Sequence, residues 1–214
     1  MKFKTTKIID FFLLQKDFYS KLTDKSMWLY IGIALVGIRD VILGVLGRNI
    51  DTTDNIYIHF NARSVAILFV TAMVMGLVDT LCFSYPIFDI IKHFKRRSDS
   101  NSMAIGMSYS SLLTKVFKVY IIVNIILTPL DLLSYFTTHM ALIHNSATLG
   151  SISLVFGILG YFWFNGAITR GLCVLFKLPN GVRGLIFVLV FLWNALLNSA
   201  LNLMFNQVIM RLLQ

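Results

Sequence analysis

The sequence predicts an all-α, polytopic membrane protein, with five transmembrane helices behind an N-terminal amphipathic interfacial helix. Three observations predict it. Of 214 residues, 57% are hydrophobic and only 14% charged, too few polar groups to clothe a soluble domain of this length. Apolar stretches recur five times, each about the 20 residues that a ~30 Å hydrocarbon layer requires. The basic residues stand in clusters between those stretches, where they set topology. The net charge of +9 therefore does not point to nucleic acid, because the cations are not interleaved with exposed aromatics on one face. Anionic lipid headgroups are the partner such clusters favour.

Residues 1–26 form a cytoplasmic N-terminal segment with six lysines, among them Lys7, Lys16 and Lys21. Ile8, Phe11, Phe12, Phe18, Tyr19 and Leu22 recur at helical steps, while Asp10, Asp17 and Asp24 fall seven apart on the polar side. A helix of this kind lies in the headgroup region with Phe and Leu buried and Lys toward phosphate. The alternative is a short helix packed on the protein's own cytoplasmic surface.

The transmembrane domain, residues 27–214, holds five spans: roughly Trp28 to Leu46, Val65 to Tyr85, Phe117 to Phe136, Leu149 to Ile168 and Gly184 to Phe205. Lys and Arg number fifteen in the N-terminus, the 92–118 region and the 170–183 connection, against three on the other side. That positive-inside bias predicts a cytoplasmic N-terminus and an external C-terminus. The densest run is Lys92-His93-Phe94-Lys95-Arg96-Arg97; Lys92, Lys95, Arg96 and Arg97 are expected at lipid headgroups. Pro86 is expected to kink or end the second span, with Ile87 to Ile91 running on amphipathically. A basic and Ser-rich cytoplasmic loop is expected over about 92–114, and an uncharged external loop over 137–148. Leu178-Pro179-Asn180-Gly181 predicts a tight turn that makes spans four and five a hairpin.

Some polar residues stand where lipid should be. Arg39 and Asp40 lie mid-span in the first helix, Asp79 in the second and Asp131 in the third. A charge at the bilayer centre costs roughly 2.5–3.5 kcal/mol even on lenient scales, so each needs a partner or a wet cavity. At ~1.5 Å per residue, Arg39 sits ~16 Å above the cytoplasmic boundary and Asp79 about 9 Å above it. Arg39 is thus expected to reach Asp79, or else Asp131. Asp40 points about 100° away around the helix and is expected to turn toward Asn194, Asn198 or water. Asn194, Asn198, Asn202 and Asn206 follow at four-residue steps, on one slowly turning face of the fifth helix. Gly150, Ser153, Gly157 and Gly160 make a smooth face on the fourth. The cluster serves either as a polar pathway or as a satisfied polar core.

Catalytic patterns are absent from the sequence: no HExxH, no GxSxG, no phosphate-binding Gly loop. Cys82 and Cys173 are isolated, and His139 and His144 are not spaced as ligands on one helix face, so no metal or cofactor is expected. The run from Phe11 through Asp24-Lys25-Ser26-Met27-Trp28-Leu29-Tyr30-Ile31-Gly32, followed by five spans, resembles the Yip family (Ypt-interacting membrane proteins), especially its compact bacterial members. The resemblance implies a non-enzymatic, all-helical protein of the bacterial cell membrane that organises membrane or partner proteins, a membrane-protein partner or homo-oligomer included. The Asp-Leu-Tyr-Gly-Pro motif of eukaryotic members is missing, so no small-GTPase partner is implied. A small channel or transporter that uses the intramembrane polar cluster is the alternative expectation.

Overall fold

A computed structural model of the chain describes residues 16–20, 22–23, 27–51, 62–98, 109–205 and 207. The fold is all-helical among them: α1 (Lys16–Ser20), α2 (Met27–Asp51), α3 (Ala62–Ser98), α4 (Tyr109–Ile143), α5 (Ala147–Leu175), a 3-10 turn (Asn180–Val182) and α6 (Arg183–Met204). Helices α2 to α6 are each long and apolar enough to cross a membrane. Their outer surface is apolar: Trp28, Tyr30, Leu154 and Leu196 are all more than 60% exposed. That belt needs lipid around it, and the protein is an integral, multi-pass membrane protein.

Helix α4 is the centre of the bundle. Half of its most apolar stretch is buried, against 17–33% for the other four spans, and it touches α2, α3 and α5. Large side chains fill the half of the bundle near the basic residues: Phe83, Phe88, Phe117, Tyr120, Phe164 and Phe176 belong to one buried cluster. Phe83 stacks on Tyr120 with ring centroids 4.1 Å apart.

The helix ends follow local chemistry. Helix α4 stops where Asn145 takes a left-handed φ of 47°, and Ser146 N–H and Asn145 N–H return to the carbonyls of Ala141 and Leu142. Asn tolerates that conformation better than most residues. Helix α5 ends the same way, with Lys177 at φ 51° and Leu178 N–H bonded to Cys173 O. Pro179 then blocks continuation, and α6 returns as the expected hairpin.

Three expectations are corrected or narrowed here. The external loop over 137–148 is mostly helix, since α4 runs to Ile143 and α5 starts at Ala147; even His139 is helical and stacks on Tyr135. Of the two outcomes expected at Pro86, a kink or an end, the end is excluded, because α3 continues from Ala62 to Ser98 and carries Ile87 to Ile91 on into the basic run as expected. At 37 residues it spans roughly 55 Å, and its far end projects beyond any hydrocarbon layer. The basic loop over 92–114 is helical at both ends, with 99–108 outside the described residues.

A close helix approach not expected from the sequence joins α2 and α3. A Cβ on Gly37 would fall 1.7 Å from Ala72 O, and one on Gly76 would fall 2.1 Å from Ile33 O. Helices α2 and α3 therefore cross backbone on backbone, which only glycine allows. On α5, Gly160 meets Leu127 and Leu130, Ser153 bonds to Ser134 O at 2.8 Å, and Gly150 meets nothing within 4 Å. Gly157 lies 3.8 Å from Ser134 Oγ, so Ser153, Gly157 and Gly160 do make the expected small-residue face, packed on α4, and only Gly150 falls outside it.

The described part of the N-terminal segment packs on the protein. Tyr19 is fully buried against Gly171, and its hydroxyl donates to Ala167 O at 2.9 Å. Lys118, also buried, donates to Thr23 O. Lys16 and Phe18 stay exposed on the other side of α1.

Candidate functional site: an intramembrane polar cavity

Arg39 is the hub of the site. Its guanidinium donates from one terminal nitrogen to Asp40 Oδ1 at 3.0 Å and Asn124 Oδ1 at 2.9 Å, and from the other to Asp131 Oδ2 at 2.6 Å. Three acceptors on two helices hold it in the bundle and away from lipid, as the cost of an intramembrane charge demands. The partner on another helix is thus Asp131, not Asp79. Asp40 is a correction in part. It lines the same cavity as Asn194 and Asn198, as expected, but although adjacent in sequence it also meets Arg39, because the long Arg side chain folds back into the same space. Asp40 Oδ2 is buried and has no hydrogen-bond partner among the described residues.

Asp79 has a different partner. It is 2% exposed, and the Tyr120 hydroxyl lies 2.8 and 2.7 Å from its two oxygens. One hydroxyl carries one proton, so it donates to one oxygen at a time. Neither Tyr120 nor Asn124 was expected at the site from sequence. The signal was present: Tyr120, Asn124, Leu127 and Asp131 follow at helical spacing on α4, and all four line one cavity.

That cavity has a volume of about 160 Å³ and brings together Arg39, Asp40, Asp79, Asp131, Asn194 and Asn198, with Gly157, Tyr161 and Phe164 from α5. Asn194 is buried and accepts from Asn198 at 3.4 Å. A second cavity, of about 190 Å³, shares Arg39, Asp40, Asn198 and Leu201 and adds Asn202, Leu43, Gly44 and Phe205. The polar space therefore starts above the aromatic core at Tyr120 and Phe164 and continues toward the end of the bundle away from the basic residues. Phe205 closes against Gly44, where a Cβ would lie 2.8 Å from its ring.

The basic residues are not brought together in the same way. Lys16 is exposed. Lys92 places its ammonium 4.4 Å from the Tyr109 ring centroid, a cation–π distance. Lys95, Arg96 and Arg97 continue α3 to its end, while Lys7 and Lys21 lie outside the described residues. Compared with family models, curated proteins and solved structures, the chain finds no match.

Proposed function

We propose that this integral membrane protein is a small channel or transporter, and that the cavity around Arg39 holds a small polar solute within the membrane. The observation that carries the reading is the convergence of Arg39, Asp40, Asp79, Asp131, Asn194 and Asn198 on one open volume. A polar core that served packing alone would close on itself, because every unfilled space forfeits contacts. A volume of about 160 Å³ leaves room for several water molecules or one small solute. In this reading the protein is non-catalytic, with its N-terminus cytoplasmic, its C-terminus external, and the cavity approached from the external side.

A second reading follows the Yip resemblance: a protein that organises membranes or partner proteins, itself included. It is favoured by α1, which Tyr19 anchors to α5 while Lys16 and Phe18 face outward, as a headgroup- or partner-binding helix would. Reconstituted protein separates the two. Flux of a small polar solute into proteoliposomes, lost in Asp131→Asn or Asp79→Asn protein that still folds, supports the channel or transporter. Tight liposomes with no flux for any ion or small solute leave the organising role.

A further inference from the structure

We infer that the cavity is a site for a small organic cation of the primary-ammonium class. The inference rests on the channel or transporter reading for its purpose, but not for its chemistry. The charge balance is the first ground. Three carboxylates, Asp40, Asp79 and Asp131, line a space that contains one guanidinium. Arg39 commits its terminal nitrogens to Asp40, Asp131 and Asn124. Among the described residues, Asp79 receives only a shared phenolic O–H from Tyr120, and Asp40 Oδ2 receives nothing. The walls therefore carry an excess of carboxylate, three against one guanidinium. Arg39 Nε is also buried without a partner among the described residues, but a single cation cannot balance three carboxylates where unmatched negative charge is costly.

A cationic donor answers that excess, whereas an anion would add to it. An ammonium group brings three N–H donors and one positive charge, which matches the open lone pairs on two carboxylates and the carbonyl oxygens of nearby Asn side chains. The size of the cavity argues against a single dehydrated metal ion. Among the described residues, no three His, Cys or carboxylate side chains are grouped to hold one. The remaining wall is apolar and aromatic, with Tyr161, Phe164 and Leu127. Aromatic rings attract an ammonium head electrostatically and also cover a short alkyl tail.

The test uses full-length protein in detergent and in liposomes, with ethylammonium as probe, and with acetate, urea and sodium as comparisons. Ethylammonium is expected to raise the melting temperature and to bind saturably, while acetate and urea do neither. Asp40→Asn and Asp79→Asn are each expected to weaken ethylammonium binding by about tenfold or more, the size of one charge-assisted hydrogen bond. If a variant does not fold, the wild-type ranking of ethylammonium against acetate, urea and sodium decides alone. Ethylammonium binding without flux keeps the cation site and removes the transport reading. Binding or flux of acetate or urea in preference to ethylammonium keeps a solute pathway and overturns the cation assignment. Saturable binding of sodium alone, or of no probe, overturns it as well.

Discussion

The indole N–H of Trp193 donates to the carbonyl oxygen of Cys82 at 3.0 Å, and that carbonyl is the one Pro86 leaves without its helical donor. In an α-helix the N–H of residue 86 would bond to the oxygen of residue 82, and proline has no N–H. A Trp from α6 replaces the missing bond and ties α6 to α3 at the site of the defect. In lipid, an unpaired carbonyl has no water to turn to.

The first prediction tests this replacement. Trp193→Phe should cost about 1–3 kcal/mol, the penalty for leaving such a group unsatisfied, read as a lower melting temperature of detergent-purified protein. In a Pro86→Ala background residue 86 again supplies an N–H, and the same substitution should cost clearly less. An equal cost in both backgrounds would show that the indole contributes packing alone.

A second cycle concerns Arg39 and Asp131. Arg39→Leu and Asp131→Leu should each lower stability by roughly 3–5 kcal/mol, because each strands a buried charge, and the double variant should recover part of the loss. The cycle of Arg39 with Asp79 should show clearly weaker coupling, since Asp79 is bonded by Tyr120 and shares only the cavity with Arg39. Strong coupling to Asp79 instead would contradict the geometry of the cavity.

The helix crossing predicts an asymmetry among glycines. Gly37→Ala and Gly76→Ala each drive a methyl group into backbone of the neighbouring helix, and should prevent folding or lower the melting temperature sharply. Gly150→Ala meets nothing and should be neutral or stabilise by up to about 1 kcal/mol through helix propensity. Similar effects at all three positions would refute the close crossing of α2 and α3.

Tyr19 adds a pH dependence. Burial raises its phenol above the ordinary value of 10.0, with the Arg170 guanidinium opposing in part. A group whose pKa is raised in the fold contributes stability that is fully present below its unfolded pKa and is lost as pH rises past it. Wild-type protein should therefore lose stability above about pH 10 by more than Tyr19→Phe protein does. Near neutral pH the variant should be about 1 kcal/mol less stable, for the lost bond to Ala167 O. Parallel alkaline curves for the two proteins would place Tyr19 in solvent.

Topology is checked by cysteine accessibility. Single cysteines near Ser100 and Asn180 should label from the cytoplasmic side, and those near Asn55 and His144 from outside. Labelling at Ser100 from outside would reverse the orientation.

The five spans and the hairpin of α5 and α6 were legible in the sequence, because the demands of lipid are local. Each span must satisfy its own backbone and present an apolar surface, so length and hydropathy alone reveal it. That Arg39 must turn inward followed from the same local cost. Which carboxylate it meets did not. Asp79 and Asp131 were both within reach by depth, and only the rotation of each helix about its axis puts Asp131 and Asn124 before Arg39 and Tyr120 before Asp79. Rotation depends on packing between helices, which in lipid comes from side-chain shape and small residues more than from hydrophobicity. The close crossing at Gly37 and Gly76, the Trp193 bond at the Pro86 defect and the volume left open around Asp40 are all products of that packing. Each joins residues from different helices, and no single stretch of sequence specifies it.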